Sequence, residues 1–157
     1  MRNTPDRHAG HHFVQPAHLL ARGVAHPLRL SVARGFVARA RGLIAAPPLP
    51  HRAPVLGLLL PHCTAVHGLG LLAPLDLLFL SDGVGNTPLD PLDTQAPPAT
   101  RALVVAHTAR LPRFGVRWSR HTTPHGPVRH TLELPAGTLT RWGVQPGDRL
   151  ILDGGLP

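Results

Sequence analysis

The chain has 157 residues, 43% of them hydrophobic, with 16 basic and 8 acidic residues and a formal charge of +8. Its length suits one domain with tails, its single cysteine excludes an intrachain disulfide framework, and its 16 glycines and 19 prolines demand abundant turns. Every basic residue is an arginine, and the arginines are dispersed among alanine, proline and glycine as GC-rich coding produces, so nucleic acid is not expected as the main partner.

Residues 1–26 are polar, carry His8, His11 and His12, and show no clear period. They read as a mobile N-terminal tail, with no apolar stretch to make a secretory signal. The domain is expected over residues 27–153. Leu28, Leu30 and Val32 alternate with polar residues as in a half-buried strand. From Arg34 the period becomes helical: Phe36, Val37, Ala40, Leu43 and Ile44 share a face until Pro47 and Pro48 end it. Residues 55–60 and 75–80 read as buried strands, and 63–67 as a further extended piece. Ser81-Asp82-Gly83 is the turn after the second of these. The apolar run 69–80 holds Pro74 and Asp76 and falls short of the ~20 residues of a membrane span. No span is expected, and the expected location is cytoplasmic.

Residues 84–100 contain repeated Pro-Leu-Asp and read as an extended, proline-rich inserted loop. Strands are expected at 102–106 and 114–118. Val128, His130, Leu132 and Leu134 form one face of another strand, with Arg129, Thr131 and Glu133 on the opposite, outward face. Pro135 ends it. A short helix then starts near Thr138 and stops at Gly143, which is suited to the left-handed C′ position. Such a helix needs Leu139 and Trp142 packed on a core. Pro146-Gly147 supplies a type II turn into a closing strand at 149–152.

Three segments, in order, resemble the bacterial and archaeal family known as domain of unknown function 192. They are Arg39-Ala40-Arg41-Gly42-Leu43, then Cys63-Thr64-Ala65-Val66-His67 with Pro74-Leu75-Asp76-Leu77-Leu78-Phe79-Leu80, then Leu132-Glu133-Leu134-Pro135-Ala136-Gly137 with Gly143 and Pro146-Gly147-Asp148. The likeness covers about four-fifths of the chain. It implies a compact β-barrel or β-sandwich of one domain and no known substrate. Gly68 and Leu71 stand where the family commonly has threonine and methionine.

Three clusters of residues admit a chemical reading. Cys63 and His67 can be drawn as thiol and base, yet on a strand they lie roughly 13 Å apart. His62, Cys63 and His67 have zinc-ligand chemistry, with no repeated ligand pair to complete a tetrahedral site. Asp76, inside an apolar strand, needs a partner: Arg101, Arg117, His67 or backbone amides. Glu133 is the only glutamate and is expected to face an arginine across the sheet. Neither Gly68-Leu69-Gly70 nor Gly83-Val84-Gly85 opens a helix, so no phosphate-cradling loop is claimed. The resulting expectation is a mainly β, compact barrel or sandwich-like single domain with two short helices. It is expected to act as a non-enzymatic binding or accessory module without a cofactor. Its site would be His67, Asp76, Arg117 and Trp118, with a basic rim for an anionic peptide, protein or small molecule. The alternatives are a thiol or metal-dependent enzyme using Cys63, His67 and Asp76, and a nucleic-acid binder.

Overall fold

The computed structural model describes residues 13–33, 54–83, 101–119 and 122–153. Its strands are β1 (Phe13–Ala21), β2 (Val24–Val32), β3 (Val55–Leu60), β4 (Ala65–His67), β5 (Leu75–Ser81), β6 (Arg101–Leu111), β7 (Val116–Trp118), β8 (Thr122–Thr123), β9 (Gly126–Pro135) and β10 (Arg149–Leu152). One short helix, α1 (Thr138–Trp142), lies between β9 and β10. The expected helix around residues 34–46, the inserted loop 84–100 and the histidines at 8, 11 and 12 lie outside the described residues.

The strand order β3-β2-β1-β10-β6-β5-β9 returns through a β3–β9 pairing, which closes a seven-stranded barrel. Closure removes the exposed edges of a free sheet. Only β2 and β3 run parallel; their neighbours in the barrel pair antiparallel. β8 extends β9, and β4 with β7 forms a separate two-stranded sheet.

The strand pattern sorts the side chains into two cores. Leu19, Leu30, Leu59, Leu78, Leu80, Leu103, Val105, Leu132, Leu134, Leu150 and Leu152 fill the barrel interior. Each fully buried leucine contributes about 2 kcal/mol relative to exposure. Leu58, Leu60, Leu75, Leu77, Phe79, Ala106 and Val128, with Val66 from β4, form a second cluster on the outer face. Two bulges adjust the alternation. Ala106 is the extra residue of β6 between the pairs Leu80–Val105 and Phe79–His107, and Arg129 is the extra residue of β9 between Leu80–His130 and Ser81–Val128. Val128 therefore leaves the face of His130, Leu132 and Leu134 and joins the outer cluster.

Two expectations need correction. Residues 13–26 are not tail: they form β1 and the start of β2, joined by a two-residue turn. Arg22 and Gly23 both have positive φ, 51° and 79°, as a type I′ hairpin requires. Ala17 and Leu19 alternate into the interior while Pro16 and His18 face out. Interrupted by a proline and histidines, that alternation is faint in the sequence. Glu133 is not on a solvated face. It is 3% exposed, because β9 lies between β3 and β5, with Leu58 and Leu77 as its cross-strand neighbours under the outer cluster.

The C-terminal unit is as its punctuation residues dictate. Gly143 has φ 65° and stops α1, with Val144 N–H donating to the Leu139 carbonyl at 3.0 Å. Gly147 has φ 97°, and Asp148 N–H closes the turn onto the Gln145 carbonyl at 3.2 Å. Leu139, Trp142 and Val144 pack on the interior cluster, so α1 roofs one mouth of the barrel. Among the described residues no helix is long and apolar enough to cross a membrane.

Candidate functional site

Asp76 opens β5 on the inward-facing register. Its cross-strand partners are Leu134, an interior residue, and Arg110. Along β5 and β6 the inward positions are apolar at mid-barrel (Leu78, Leu80, Leu103, Val105) and polar towards the α1 mouth (Asp76, Thr108, Arg110). Asp76 is 5% exposed, and its Oδ2 accepts the Leu139 backbone N–H at 3.0 Å. That bond satisfies one of the amides a helix start leaves unpaired. Of the partners considered from sequence, the backbone amide is the one realised, from α1 rather than from the segment beside Pro74. Asp76, Thr108, Arg110, Arg22, Gly137, Thr140 and Gln145 border a cavity of about 400 Å³. Arg22 lies at its edge beside Gln145; with the Gln145 amide turned so that its oxygen faces the guanidinium, that oxygen accepts from Nε and Nη2 at 2.8 and 3.1 Å.

The opposite mouth carries a second carboxylate, Asp82, just past β5. Arg101 Nη2 and His130 Nε2 both reach its Oδ1, the latter at 3.3 Å, and Arg129 Nε lies 3.4 Å from Oδ2. His130 is 1% exposed, and its Nδ1 accepts the His62 backbone N–H at 3.3 Å. Both ring nitrogens are thereby assigned, with the proton on Nε2. Burial pushes the His130 pKa down more than Asp82 raises it. For Asp82, burial acts upward, but the hydrogen bonds from His130 and Arg101 and their charge outweigh it, holding the carboxyl below its ordinary range. This cluster is saturated within the chain.

The remaining predicted residues sit elsewhere. His67 lies on β4, exposed, opposite Val116; Trp118 on β7 is 73% exposed, opposite Ala65. Arg117 pairs across from buried Val66, and its Nε donates to the Arg110 carbonyl at 3.0 Å. Trp118 also borders a second cavity, of about 380 Å³, with Ala106, His107, Thr122, Thr123 and Pro124. The β4–β7 sheet thus groups His67, Arg117 and Trp118, and leaves Asp76 in the barrel mouth. Cys63 is half-buried before β4, with Sγ donating to the Ala65 carbonyl at 3.1 Å. No group of three His, Cys, Asp or Glu side chains among the described residues is placed to hold a metal ion, and His62, Cys63 and His67 do not converge. Sequence reasoning missed Asp82 with His130. The available signal was a histidine in register with Leu132 and Leu134, which has to find a partner when buried.

A closed barrel with one helix over its mouth and a separate two-stranded β4–β7 sheet is a compact, mainly β domain. The chain belongs to the DUF192 family, described as "uncharacterized ACR", whose model matches residues 17–152. Among solved structures it is similar to a protein from Sinorhizobium meliloti described as "a putative transcription regulator". The two are 26% identical with a TM-score of 0.64, over 91% of this chain and 96% of that one. It also shares its fold with a protein of unknown function from Novosphingobium aromaticivorans: 21% identity, TM-score 0.59, 87% of this chain and 84% of that one. No match is found among curated proteins.

Proposed function

We propose that the protein is a non-catalytic binding module and that its two-stranded β4–β7 sheet docks an acidic, partly apolar segment of a partner protein. One observation carries this reading: among the described residues, five of the six exposed large hydrophobic residues lie on or beside the β4–β7 sheet. They are Leu69, Leu72, Phe114, Val116 and Trp118. Single exposed hydrophobes are ordinary; a contiguous set marks an interaction surface.

The loop after β4 and the loop before β7 are tied together. Gly68 N–H donates to the Gly115 carbonyl at 2.7 Å, and Arg113 Nε to the Leu71 carbonyl at 3.1 Å. A Cβ on Gly68 would lie 2.1 Å from the Pro112 carbonyl oxygen, so the two loops can touch only with glycine there. Arg113 and Arg117 bond only backbone carbonyls among the described residues, which leaves their charge without a carboxylate. Residues 54–75 and 101–132 contain no aspartate or glutamate at all. An acidic partner segment meets complementary charge there, and the Trp118 cavity offers a seat for an apolar anchor.

Peptide-display selection on the full chain tests this. Enrichment of peptides combining Asp or Glu with Leu or an aromatic residue is the expected result, with affinity lost about tenfold in Trp118→Ala and in Arg117→Ala. Neutral or basic consensus peptides, or binding by both variants as tight as that of the unmodified protein, overturn it. So does preferential binding to phosphatidylserine vesicles. The description of the Sinorhizobium relative makes duplex DNA a required control: tight DNA binding with a steep salt dependence would replace this reading.

A further inference from the structure

The α1 mouth of the barrel holds a site that the β4–β7 sheet does not use. We infer that its cavity binds a small amphoteric molecule, one with a protonated amine and an anionic group, of which free amino acids are the simplest class. The inference does not rest on the proposed docking by the β4–β7 sheet.

The cavity, about 400 Å³, falls in the range of small-molecule sites, ~300–1,000 Å³. Its floor is a carboxylate 5% exposed, one of whose oxygens takes the Leu139 amide; no hydrogen bond to the other is made among the described residues. That second oxygen is not sealed in the core, so it stays available at the cavity as an acceptor for a ligand's donor. Directly across the strand pair stands Arg110, exposed and in no ion pair among the described residues. The guanidinium of Arg22, held by Gln145, is the second cation.

Charge then selects the ligand. A purely anionic molecule would meet Asp76, and a purely cationic one would meet Arg22 and Arg110. An ampholyte pairs its ammonium with Asp76 and its anionic group with the arginines. Thr108 and Thr140, on the cavity wall, add hydroxyls able to donate or accept. Helix α1 plays no part as an anion site: it has five residues, and the amide it presents is already taken by Asp76.

The test is calorimetric titration of the full chain with each of the common free L-amino acids, then with the N-acetyl and methyl ester forms of the tightest. Saturable binding is expected, weakened tenfold or more by either block. Asp76→Asn should bind the free and N-acetylated forms alike, and Arg110→Ala should no longer distinguish acid from ester. Asp76→Asn keeps an acceptor for the Leu139 amide, and Arg110→Ala alters an exposed side chain, so both variants are expected to fold. Absence of saturable binding by every amino acid overturns the inference, as does equal binding of blocked and free forms by the unmodified protein.

Discussion

The two mouths of the barrel are built around the same residue type and finished in opposite ways. Asp76 and Asp82 flank one strand, β5, and each meets the end of the interior core. At the Asp82 mouth, Arg101, Arg129 and His130 converge on the carboxylate and the chain supplies every partner. At the Asp76 mouth a single backbone amide reaches it, and Arg110, its cross-strand neighbour, forms no ion pair among the described residues. A saturated cluster closes a mouth; an unsaturated carboxylate beside a cavity leaves room for a ligand. The comparison teaches that burial of an ionisable group does not mark function by itself. What separates the two is whether the fold completes the group's hydrogen bonds.

The largest effect should come from breaking the saturated side. Asp82→Ala leaves the His130 Nε2–H and the Arg101 guanidinium without their acceptor, which should lower stability by about 1–3 kcal/mol. Urea unfolding measures it; a loss below about 0.5 kcal/mol would mean that the cluster does not close the mouth.

Acid should act on the same cluster by a smaller step. His130 is depressed in the folded state, so the unfolded chain takes up its proton first as pH falls. Its contribution is complete above the ordinary histidine value of 6.5 and is lost below it, with a slope of at most about 1.4 kcal/mol per pH unit. Asp82 is also depressed, so its contribution persists until pH falls below 3.8. Thermal unfolding should therefore show a first loss beginning near pH 6.5 that His130→Gln removes. A first loss of the same size in His130→Gln would assign it to another histidine.

How much of this was legible in the sequence follows from where the information is local. The α1 unit was readable because Gly143 and Pro146-Gly147 each act through their own backbone angles. The strands at 55–60 and 75–80 were readable because their apolar runs are continuous. β1 was not: three of its four described buried positions are Gln15, Ala17 and Ala21, and its neighbours β2 and β10 are what bury them. Asp76 could be marked as a residue needing a partner, but the partner lies 63 residues away on an unrelated element. Grouping it with His67 followed from sequence proximity, whereas the barrel turns the first inward and the β4–β7 sheet holds the second outside. Glu133 was misplaced because alternation tells the two faces of a strand apart and does not tell whether the second is covered.

The sharpest test of the comparison is one substitution made twice. Asn in place of Asp is nearly isosteric and removes the charge while keeping one acceptor oxygen. At position 76 that oxygen is sufficient, since the chain asks only for the Leu139 amide; stability should change by less than about 1 kcal/mol. At position 82 the new amide group brings a donor against two arginines and His130, so the cost should exceed that of the first variant. The comparison stands if Asp76→Asn unfolds at nearly the same urea concentration as the unmodified protein while Asp82→Asn unfolds earlier. Equal losses would mean that the Asp76 carboxylate serves the barrel as Asp82 does, and the open mouth would then be a second structural closure.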